Sequence, residues 1–253
     1  MTLDMFKLDG KVAIVTGCNR GLGAALALGL AEAGADVAGV YHSTAAGVGG
    51  KIEALGRRFV GIQADLGDPS CAAGIVDKTV AELGRVDILV NNAGIIRREP
   101  ALEFSEANWD DVMNVNLKSL FFLTQAAAKR FTEQGGGGKV VHVASMLSFQ
   151  GGINVSSYTA SKSAVMGLTR LMANEWAGQG INVNAIAPGY MATDNTAALR
   201  ADETRNRQIL ERIPAGRWGE PDDLKGCVVF LASKASDYVN GYTIAVDGGW
   251  LAR

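Results

Sequence analysis

Near its start the chain reads Val12-Ala13-Ile14-Val15-Thr16-Gly17-Cys18-Asn19-Arg20-Gly21-Leu22-Gly23. The first five residues are apolar or β-branched, which predicts a buried strand, and a helical pattern of apolar residues runs from Leu22 to Ala33. The glycines between them allow a tight turn in which backbone N–H groups and a helix N-terminus face a phosphate. The run therefore predicts a β-turn-α unit that binds the pyrophosphate of a dinucleotide.

Short apolar runs alternate with helical patterns along the rest of the chain. Strands are predicted at 37–41, 59–63, 86–90, 140–143, 183–187 and 243–246, and helices at 52–55, 71–83, about 105–131, about 156–176 and about 222–232. This alternation indicates βαβ units and a parallel sheet. We therefore predict an α/β fold: a single domain over 1–253 with a Rossmann-like, doubly wound parallel sheet of about seven strands and helices on both faces.

Two segments need a separate interpretation. Gly135 to Gly138 lies between a helix and a strand, which favours a flexible turn over a linker between domains. The segment 191–213 is polar and charged and follows a strand end, where ligands of open α/β sheets bind. We predict that it is a lid over the substrate. A surface helix with no role in gating is the alternative.

Composition narrows the class of partner. The 24 Lys and Arg residues nearly balance the 26 Asp and Glu residues, so nucleic acid and membrane surfaces are not expected as partners. The three cysteines are far apart and predict reduced thiols in a cytoplasmic protein, and no apolar run is long enough to span a membrane. Only two histidines are present, and no zinc-type ligand cluster is found, so no metal is predicted.

Tyr158-Thr159-Ala160-Ser161-Lys162 is the candidate catalytic motif. It lies in a helical pattern, so the i, i+4 spacing places the phenol and the ammonium on one face. A free tyrosine has a pKa of about 10, and a nearby cation stabilises its phenolate. We therefore predict a phenol with a lowered pKa that transfers a proton. A solvated helix pair is the alternative for this motif taken alone.

The whole chain resembles the short-chain dehydrogenase/reductase family, whose glycine loop is Thr-Gly-x-x-x-Gly-x-Gly. Further matches to that family are Asp65-Leu66, Asn91-Asn92-Ala93-Gly94 and Pro188-Gly189 with Thr193. The resemblance implies that these three groups border the adenine, support the sheet and cofactor, and hold the nicotinamide carboxamide, respectively. The predicted cofactor-binding residues are Gly17, Asn19, Arg20, Gly21, Leu22, Gly23, His42, Asp65, Leu66, Asn92, Ala93, Gly94, Tyr158, Lys162, Pro188, Gly189, Met191 and Thr193.

The resemblance also implies a catalytic set of Asn116, Ser145, Tyr158 and Lys162. In it, Ser145 hydrogen-bonds the reacting oxygen, Tyr158 exchanges the proton, and Lys162 also binds the nicotinamide ribose. Asn116 holds a water that links Lys162 to solvent. The implied reaction is hydride transfer between a carbinol carbon and a nicotinamide, joined to acid/base catalysis. The other histidine candidate, His142, alternates inward on a strand and is interpreted as a packed side chain.

The choice between NAD(H) and NADP(H) depends on the end of the second strand. An acidic residue there usually binds the ribose hydroxyls and repels a 2′-phosphate, but the chain reads Val40-Tyr41-His42-Ser43. Arg20 could meet a 2′-phosphate, or it could be a solvated loop charge. We predict use of both cofactors.

The second half of the chain resembles more closely those members of the family that act on keto sugar acids. The implied substrate is 2-dehydro-3-deoxy-D-gluconate, reacting at C5 in uronate and pectin breakdown, and the implied assembly is a homotetramer. An acidic sugar needs a cation and several polar partners. Arg98 is the carboxylate candidate, with Gln150, Asn195 and Trp218 as further pocket candidates, although each could be structural.

Other functions remain open. A gluconate 5-dehydrogenase or a 3-oxoacyl carrier-protein reductase would use the same site, the latter with NADPH and basic residues for an acidic carrier. A non-catalytic NAD(P)-binding regulatory protein is the alternative from another class, because fold does not decide function. The presence of all four catalytic residues argues against it.

Overall fold

The computed structural model describes residues 1–44 and 47–253. Its strands are β1 (Val12–Thr16), β2 (Asp36–Tyr41), β3 (Phe59–Gln63), β4 (Ile88–Asn91), β5 (Gly138–Val143), β6 (Ile181–Pro188) and β7 (Thr243–Val246). Its helices are α1 (Gly21–Glu32), α2 (Val48–Ala54), α3 (Ala72–Leu83), α4 (Glu106–Met113), α5 (Ser119–Gln134), α6 (Ser156–Trp176), α7 (Ala197–Ala201), α8 (Glu203–Arg212) and α9 (Lys225–Ala232). A π-helical turn, Asn114–Lys118, joins α4 to α5.

The strands form one seven-stranded sheet in the order β3-β2-β1-β4-β5-β6-β7. Every pair of neighbours is parallel. The chain winds outward from β1 to β3 and then crosses to β4 on the other side of β1, so the strand order reverses between β1 and β4. Ligands of such sheets bind beyond the carboxyl ends of the strands at this reversal. The predicted doubly wound α/β fold is confirmed.

The core lies on both faces of the sheet because successive strand side chains point to opposite faces. In β1, Ala13 and Val15 pack against apolar residues of α1, α2 and α9. Val12 and Ile14 pack on the other face against residues of α3, α5 and α6. All five residues of β1 are buried, as expected of a central parallel strand.

Most predicted elements match the observed ones, and the exceptions have local causes. The helix expected at about 105–131 is interrupted by the π-helical turn, which inserts an extra residue into the backbone hydrogen-bond ladder. The last helix begins at Lys225, after a short helical turn over Pro221–Leu224. Of the predicted turn, Gly135 to Gly137 lie between α5 and β5, with Gly135 and Gly137 at positive φ, and Gly138 begins β5.

The segment 191–213 contains α7 and α8 and packs at the carboxyl end of the sheet. Ile209 and Ile213 of this segment are buried with Met146 and Trp250 in a small separate apolar cluster. Its role as a closing lid stays a prediction.

The state of the cysteines and the length of the apolar helices were both predicted from the sequence. Cys18, Cys71 and Cys227 are free thiols, and burial raises the pKa of Cys18 to about 11. Among the residues that the structure describes, no helix is long and apolar enough to cross a membrane.

Candidate active site

The glycine loop between β1 and α1 is closed by contacts that exclude larger side chains. Gly17 has a φ of 65°, and a Cβ there would lie 3.0 Å from Asn92 Nδ2. A Cβ on Gly23 would overlap the carbonyl oxygen of Gly17. The backbone of the loop therefore comes close to the start of α1, whose first N–H groups have no acceptor within the helix. This arrangement forms a cradle for a phosphate.

Thr16 joins the ends of β1 and β4 beneath that loop. Its hydroxyl accepts hydrogen bonds from the backbone N–H groups of Asn92 (3.0 Å) and Ala93 (2.9 Å). The Asn92 side chain donates back to the carbonyl of Thr16 at 2.9 Å. These bonds fix the Asn92-Ala93-Gly94 turn at the point where the strand order reverses, as expected for a segment that supports both the sheet and a cofactor.

The other predicted cofactor residues lie along the same edge of the sheet. His42 follows β2, Asp65 and Leu66 follow β3, and Gly189 follows β6. Farther on, Thr193 approaches the glycine loop, since its Cγ2 would lie 3.6 Å from a Cβ on Gly21. Met191 is buried and pairs with Gly219 through the backbone. Cofactor contact by each of these residues stays a prediction.

Ser145, Tyr158 and Lys162 meet where β5 ends against α6. Ser145 stands two residues after the end of β5, and its hydroxyl accepts a hydrogen bond from the backbone N–H of Leu147 at 3.1 Å. Tyr158 lies close enough to Ser145 for that hydroxyl to act on its pKa. Lys162 Nζ lies 5.8 Å from the centre of the Tyr158 ring and donates to the carbonyl oxygen of Val143 at 2.6 Å. The predicted grouping of these three side chains is therefore present.

Asn116 completes the group from the π-helical turn. Its Oδ1 accepts from the N–H of Ile95 at 2.8 Å, and its Nδ2 donates to the carbonyl of Ile95 at 2.9 Å. The same Nδ2 lies 3.3 Å from the hydroxyl of Ser161, next to Lys162 in the chain. Single-turn π-bulges often occur at functional sites. Here the turn brings a buried amide to the segment after β4.

Burial controls the protonation of the two central groups. Desolvation raises the pKa of Tyr158 above its usual value, while the nearby Ser145 hydroxyl and the positive charge of Arg98 oppose that rise. The expected lowering of the Tyr158 pKa is therefore wrong for this structure, because desolvation outweighs the groups that oppose it. A phenol with a high pKa keeps its proton and can give it to a carbonyl oxygen. Desolvation lowers the pKa of Lys162 to about 8.

His142 is packed in the core, as predicted. The ring is fully buried, and its two nitrogens lie 3.3 Å from the hydroxyl of Thr124 and 3.0 Å from that of Thr169. Desolvation lowers its pKa to about 3, so the imidazole is neutral at ordinary pH. Among the described residues, no group of three or more His, Cys, Asp or Glu side chains could hold a metal ion.

The four substrate candidates differ in how they are placed. Arg98 is exposed, lies close enough to Tyr158 to act on its pKa, and donates to the carbonyl of Asn195 at 3.4 Å. Gln150 accepts from Arg212 at 3.1 Å. Trp218 donates through Nε1 to Asn206 of α8 at 2.7 Å. Arg98 and Gln150 thus contact residues near the two ends of segment 191–213, and Trp218 contacts α8. Substrate contact by any of them stays a prediction.

Some residues near the site are not among the sequence predictions. Trp250 is buried and packs edge-on against Tyr190 at 4.8 Å between ring centres, and Arg212 stacks on Trp250. Asp194 lies 3.5 Å from Arg20 of the glycine loop. Trp250 is remote in sequence from both partners, so no spacing pattern could reveal these contacts. The only signal is that Tyr190 directly follows Pro188-Gly189.

Comparison with known proteins agrees with this geometry. Residues 17–251 match a family model described as enoyl-(acyl carrier protein) reductase. The chain is 66% identical over 253 residues to 2-dehydro-3-deoxy-D-gluconate 5-dehydrogenase of Dickeya dadantii (strain 3937), with 100% of both chains covered.

Two solved structures are also similar. One, from Agrobacterium tumefaciens, is named for 2-deoxy-D-gluconate 3-dehydrogenase and holds NADP; it is 56% identical, with a TM-score of 0.93 and 98% and 99% of the two chains covered. The other, a gluconate 5-dehydrogenase from Burkholderia cenocepacia in complex with NADP and tartrate, is 40% identical, with a TM-score of 0.95 and 100% of both chains covered. The chain therefore belongs to the short-chain dehydrogenase/reductase family of oxidoreductases.

Proposed function

We propose that the chain transfers hydride between NAD(P)(H) and the C5 alcohol or ketone of 2-dehydro-3-deoxy-D-gluconate. The observation that carries this proposal is the grouping of Asn116, Ser145, Tyr158 and Lys162 at the edge of the sheet that also holds the glycine loop. The 66% identical relative of that name supports the choice of substrate.

The residues of the glycine loop fit a dinucleotide. Gly17 and Gly23 leave the backbone bare where any Cβ would meet neighbouring atoms, and α1 begins at the loop. Gly94 lies beside the side-chain amide of Asn116 and the amine of Lys162. A Cβ on Gly94 would be 3.3 Å from Asn116 Oδ1 and 3.7 Å from Lys162 Nζ. When bound, the nicotinamide supplies hydride to the substrate carbon or accepts it.

The chain's own groups manage the proton and orient the substrate. In the reduction direction, Ser145 donates a hydrogen bond to the carbonyl oxygen while Tyr158 gives that oxygen its proton. The raised pKa of Tyr158 keeps this proton in place until charge develops on the oxygen. Lys162 is a buried ammonium that donates to the Val143 carbonyl near the phenol. It helps to return a proton to Tyr158 after the transfer, and Asn116 holds the water that links Lys162 to solvent. Oxidation reverses these transfers.

The cofactor is proposed to be NAD(H) or NADP(H), both being accepted. No acid stands at the end of β2, and Arg20 is an exposed cation in the glycine loop. Two solved relatives are named with bound NADP. Comparison of kcat/KM for the two cofactors tests this, and a preference above about a thousandfold, roughly 4 kcal/mol, contradicts it.

A panel of sugar acids assayed by nicotinamide absorbance tests the substrate. The proposed function predicts the highest kcat/KM for 2-dehydro-3-deoxy-D-gluconate. Gluconate 5-dehydrogenase is the second candidate, favoured by the 40% identical structure with tartrate, and it predicts a preference for gluconate and its 5-keto form. A preference for a 3-oxoacyl carrier-protein thioester would contradict both.

The setting is also a proposal. A role in uronate and pectin breakdown follows from the proposed substrate, and a cytoplasmic location fits the balanced charge and the free thiols. A homotetramer would cover the outer faces of α5 and α6, where Phe122 and Leu171 are 40% and 46% exposed. Light scattering on the purified protein at several concentrations tests the tetramer.

The segment 191–213 is proposed as a lid, since it contacts both Arg20 and Arg98.

A further inference from the structure

Arg212, at the end of α8, is a guanidinium held in place from two sides. Its Cζ lies 4.0 Å above the centre of the Trp250 ring, and its Nη2 donates to Oε1 of Gln150 at 3.1 Å. Stacking on an aromatic ring leaves the in-plane N–H groups of an arginine available, and only one of the five is used for Gln150. The side chain is therefore oriented, and among the described residues its other N–H groups make no hydrogen bond.

The surroundings of Arg212 connect it to the reacting centre. Trp250 is 4% exposed and shares an apolar cluster with Met146 and Tyr190. Met146 directly follows the catalytic Ser145, and Tyr190 directly follows the Pro188-Gly189 end of β6. Gln150 lies on the loop after Ser145, with its backbone N–H bonded to the carbonyl of Met146 at 3.3 Å. The guanidinium thus stands on the lid side of the catalytic group.

The charge of Arg212 lacks a counter-ion in the part of the chain that the structure describes. No carboxylate there lies within 4.0 Å of it, and the adjacent Glu211 approaches Arg207 instead. Its polar side-chain partner, Gln150, is neutral. Arg212 is exposed. An oriented, exposed arginine without an acid partner among the described residues is suited to a carboxylate, which it can bind through two parallel N–H bonds.

We propose that Arg212 binds the carboxylate of the sugar-acid substrate and thereby selects acids over neutral sugars. The inference rests on the proposed function and assigns one more residue to that site. In a sugar acid that reacts at C5, the carboxylate lies at the far end of the carbon chain from the reacting carbon. Arg98 acts on the Tyr158 end, as its effect on the phenol's pKa shows, whereas Arg212 is held by Gln150 and Trp250 on the lid.

The test compares 2-dehydro-3-deoxy-D-gluconate with its neutral primary amide in steady-state assays of the full chain. Arg212→Ala should raise KM for the acid by about 10- to 100-fold, because a charge-assisted hydrogen bond is lost, with kcat changed less than about threefold. KM for the amide should change less than about threefold. Arg212→Lys should lie between wild type and Arg212→Ala, since lysine keeps the charge but not the planar fork.

Arg207→Ala is the matched control. Arg207 lies on the same helix, is 71% exposed, and pairs only loosely with Glu211 at 4.0 Å. It should leave KM for both compounds unchanged, which separates a local contact from the general charge of the lid. Thermal unfolding and the fluorescence of bound NADPH verify that each variant is folded, and Arg212→Gln replaces the alanine variant if the latter does not fold.

The outcomes separate the inference from the function beneath it. If Arg212→Ala raises KM equally for acid and amide, or for neither, Arg212 does not bind the carboxylate and the inference is overturned. The same holds if Arg98→Ala alone shows the acid-selective loss. If the wild-type chain turns over neither this acid nor related sugar acids with either cofactor, the proposed function itself fails, and the inference falls with it.

Discussion

The catalytic group and the segment 191–213 lie on the same edge of the sheet, but their charged and polar contacts differ in exposure. Asn116, Lys162 and Ser145 are 1%, 3% and 7% exposed, and each is fixed by a hydrogen bond to backbone. In the segment, the Arg20–Asp194 contact joins two side chains that are 71% and 78% exposed. Exposed ion pairs contribute about 0–1 kcal/mol, so such contacts can exchange for a ligand at little cost.

Because of this difference, we assign different roles to the two regions. The buried group cannot rearrange without leaving polar atoms unpaired in the core, so it provides fixed acid/base chemistry. The arginine contacts of the segment are of the kind that a phosphate or a carboxylate can replace, so they suit selection of cofactor and substrate. The variants below test this division, from the largest expected effect to the smallest.

Tyr158→Phe should have the largest effect. It removes only the hydroxyl, so kcat should fall at least about a hundredfold, the low end for loss of general acid/base help. Cofactor affinity, measured by fluorescence titration, should stay within about threefold, because the ring still fills its place on α6. Near-normal turnover with normal cofactor binding would show that another group moves the proton.

The buried group was accessible to sequence reasoning because regular secondary structure positions it. The i, i+4 spacing of Tyr158 and Lys162 on a predicted helix places both on one face, and Ser145 follows a predicted strand. The π-helical turn that holds Asn116 was not predictable, since a helical pattern in the sequence does not reveal an inserted residue. The direction of the Tyr158 pKa was missed because desolvation depends on the packing of distant residues.

The segment 191–213 was accessible only in outline. Its polar composition after a strand end indicated its position, but its contacts join residues far apart in the chain. Arg212 reaches Trp250 across 38 positions and Gln150 across 62. No local periodicity encodes such pairs, because they depend on how α8 lies against the loop after Ser145 and the last turn of the chain.

The burial of Lys162 predicts an unusual pH dependence of stability. Its pKa falls from 10.5 to about 8 on folding, so between those values the unfolded chain binds more protons than the folded one. Stability therefore rises with pH in this window, and the cost of burying the charge is fully present below about pH 8. From pH 7 to 9.5 this relief amounts to about 2 kcal/mol.

Urea unfolding of wild type and Lys162→Met isolates that contribution. The free energy of unfolding of wild type relative to the variant should increase by about 2 kcal/mol from pH 7 to 9.5, whatever the difference at pH 7. Titration of cysteines and other tyrosines is common to both proteins and cancels in the comparison. A difference that stays constant over this range would mean that the lysine is hydrated and that the catalytic group is less rigid than its geometry indicates.

Arg20→Ala tests the cofactor side of the exposed contacts. Loss of a cation at the glycine loop should lower kcat/KM for NADP by about tenfold, roughly 1.4 kcal/mol, because a charge-assisted contact to the 2′-phosphate is removed. The value for NAD, which lacks that phosphate, should change less than about twofold. Equal losses with both cofactors would instead assign Arg20 to the stability of the loop.

Asp194→Asn should have the smallest effect and the opposite sign. The Asp194 carboxylate lies 3.5 Å from Arg20, so a 2′-phosphate has to share or displace it. Removing this negative charge should raise kcat/KM for NADP about two- to fivefold, the range of an exposed ion pair, and leave NAD unchanged. Glu203→Gln makes the same charge change on α8 at a carboxylate that forms no ion pair among the described residues, and it should alter kcat/KM for neither cofactor. The Asp194→Asn gain should also vanish in an Arg20→Ala background, because the carboxylate can influence the phosphate's binding site mainly through that guanidinium. A gain that persists without Arg20 would mean that Asp194 repels the phosphate directly, and the contact between the glycine loop and segment 191–213 would then have no part in cofactor choice.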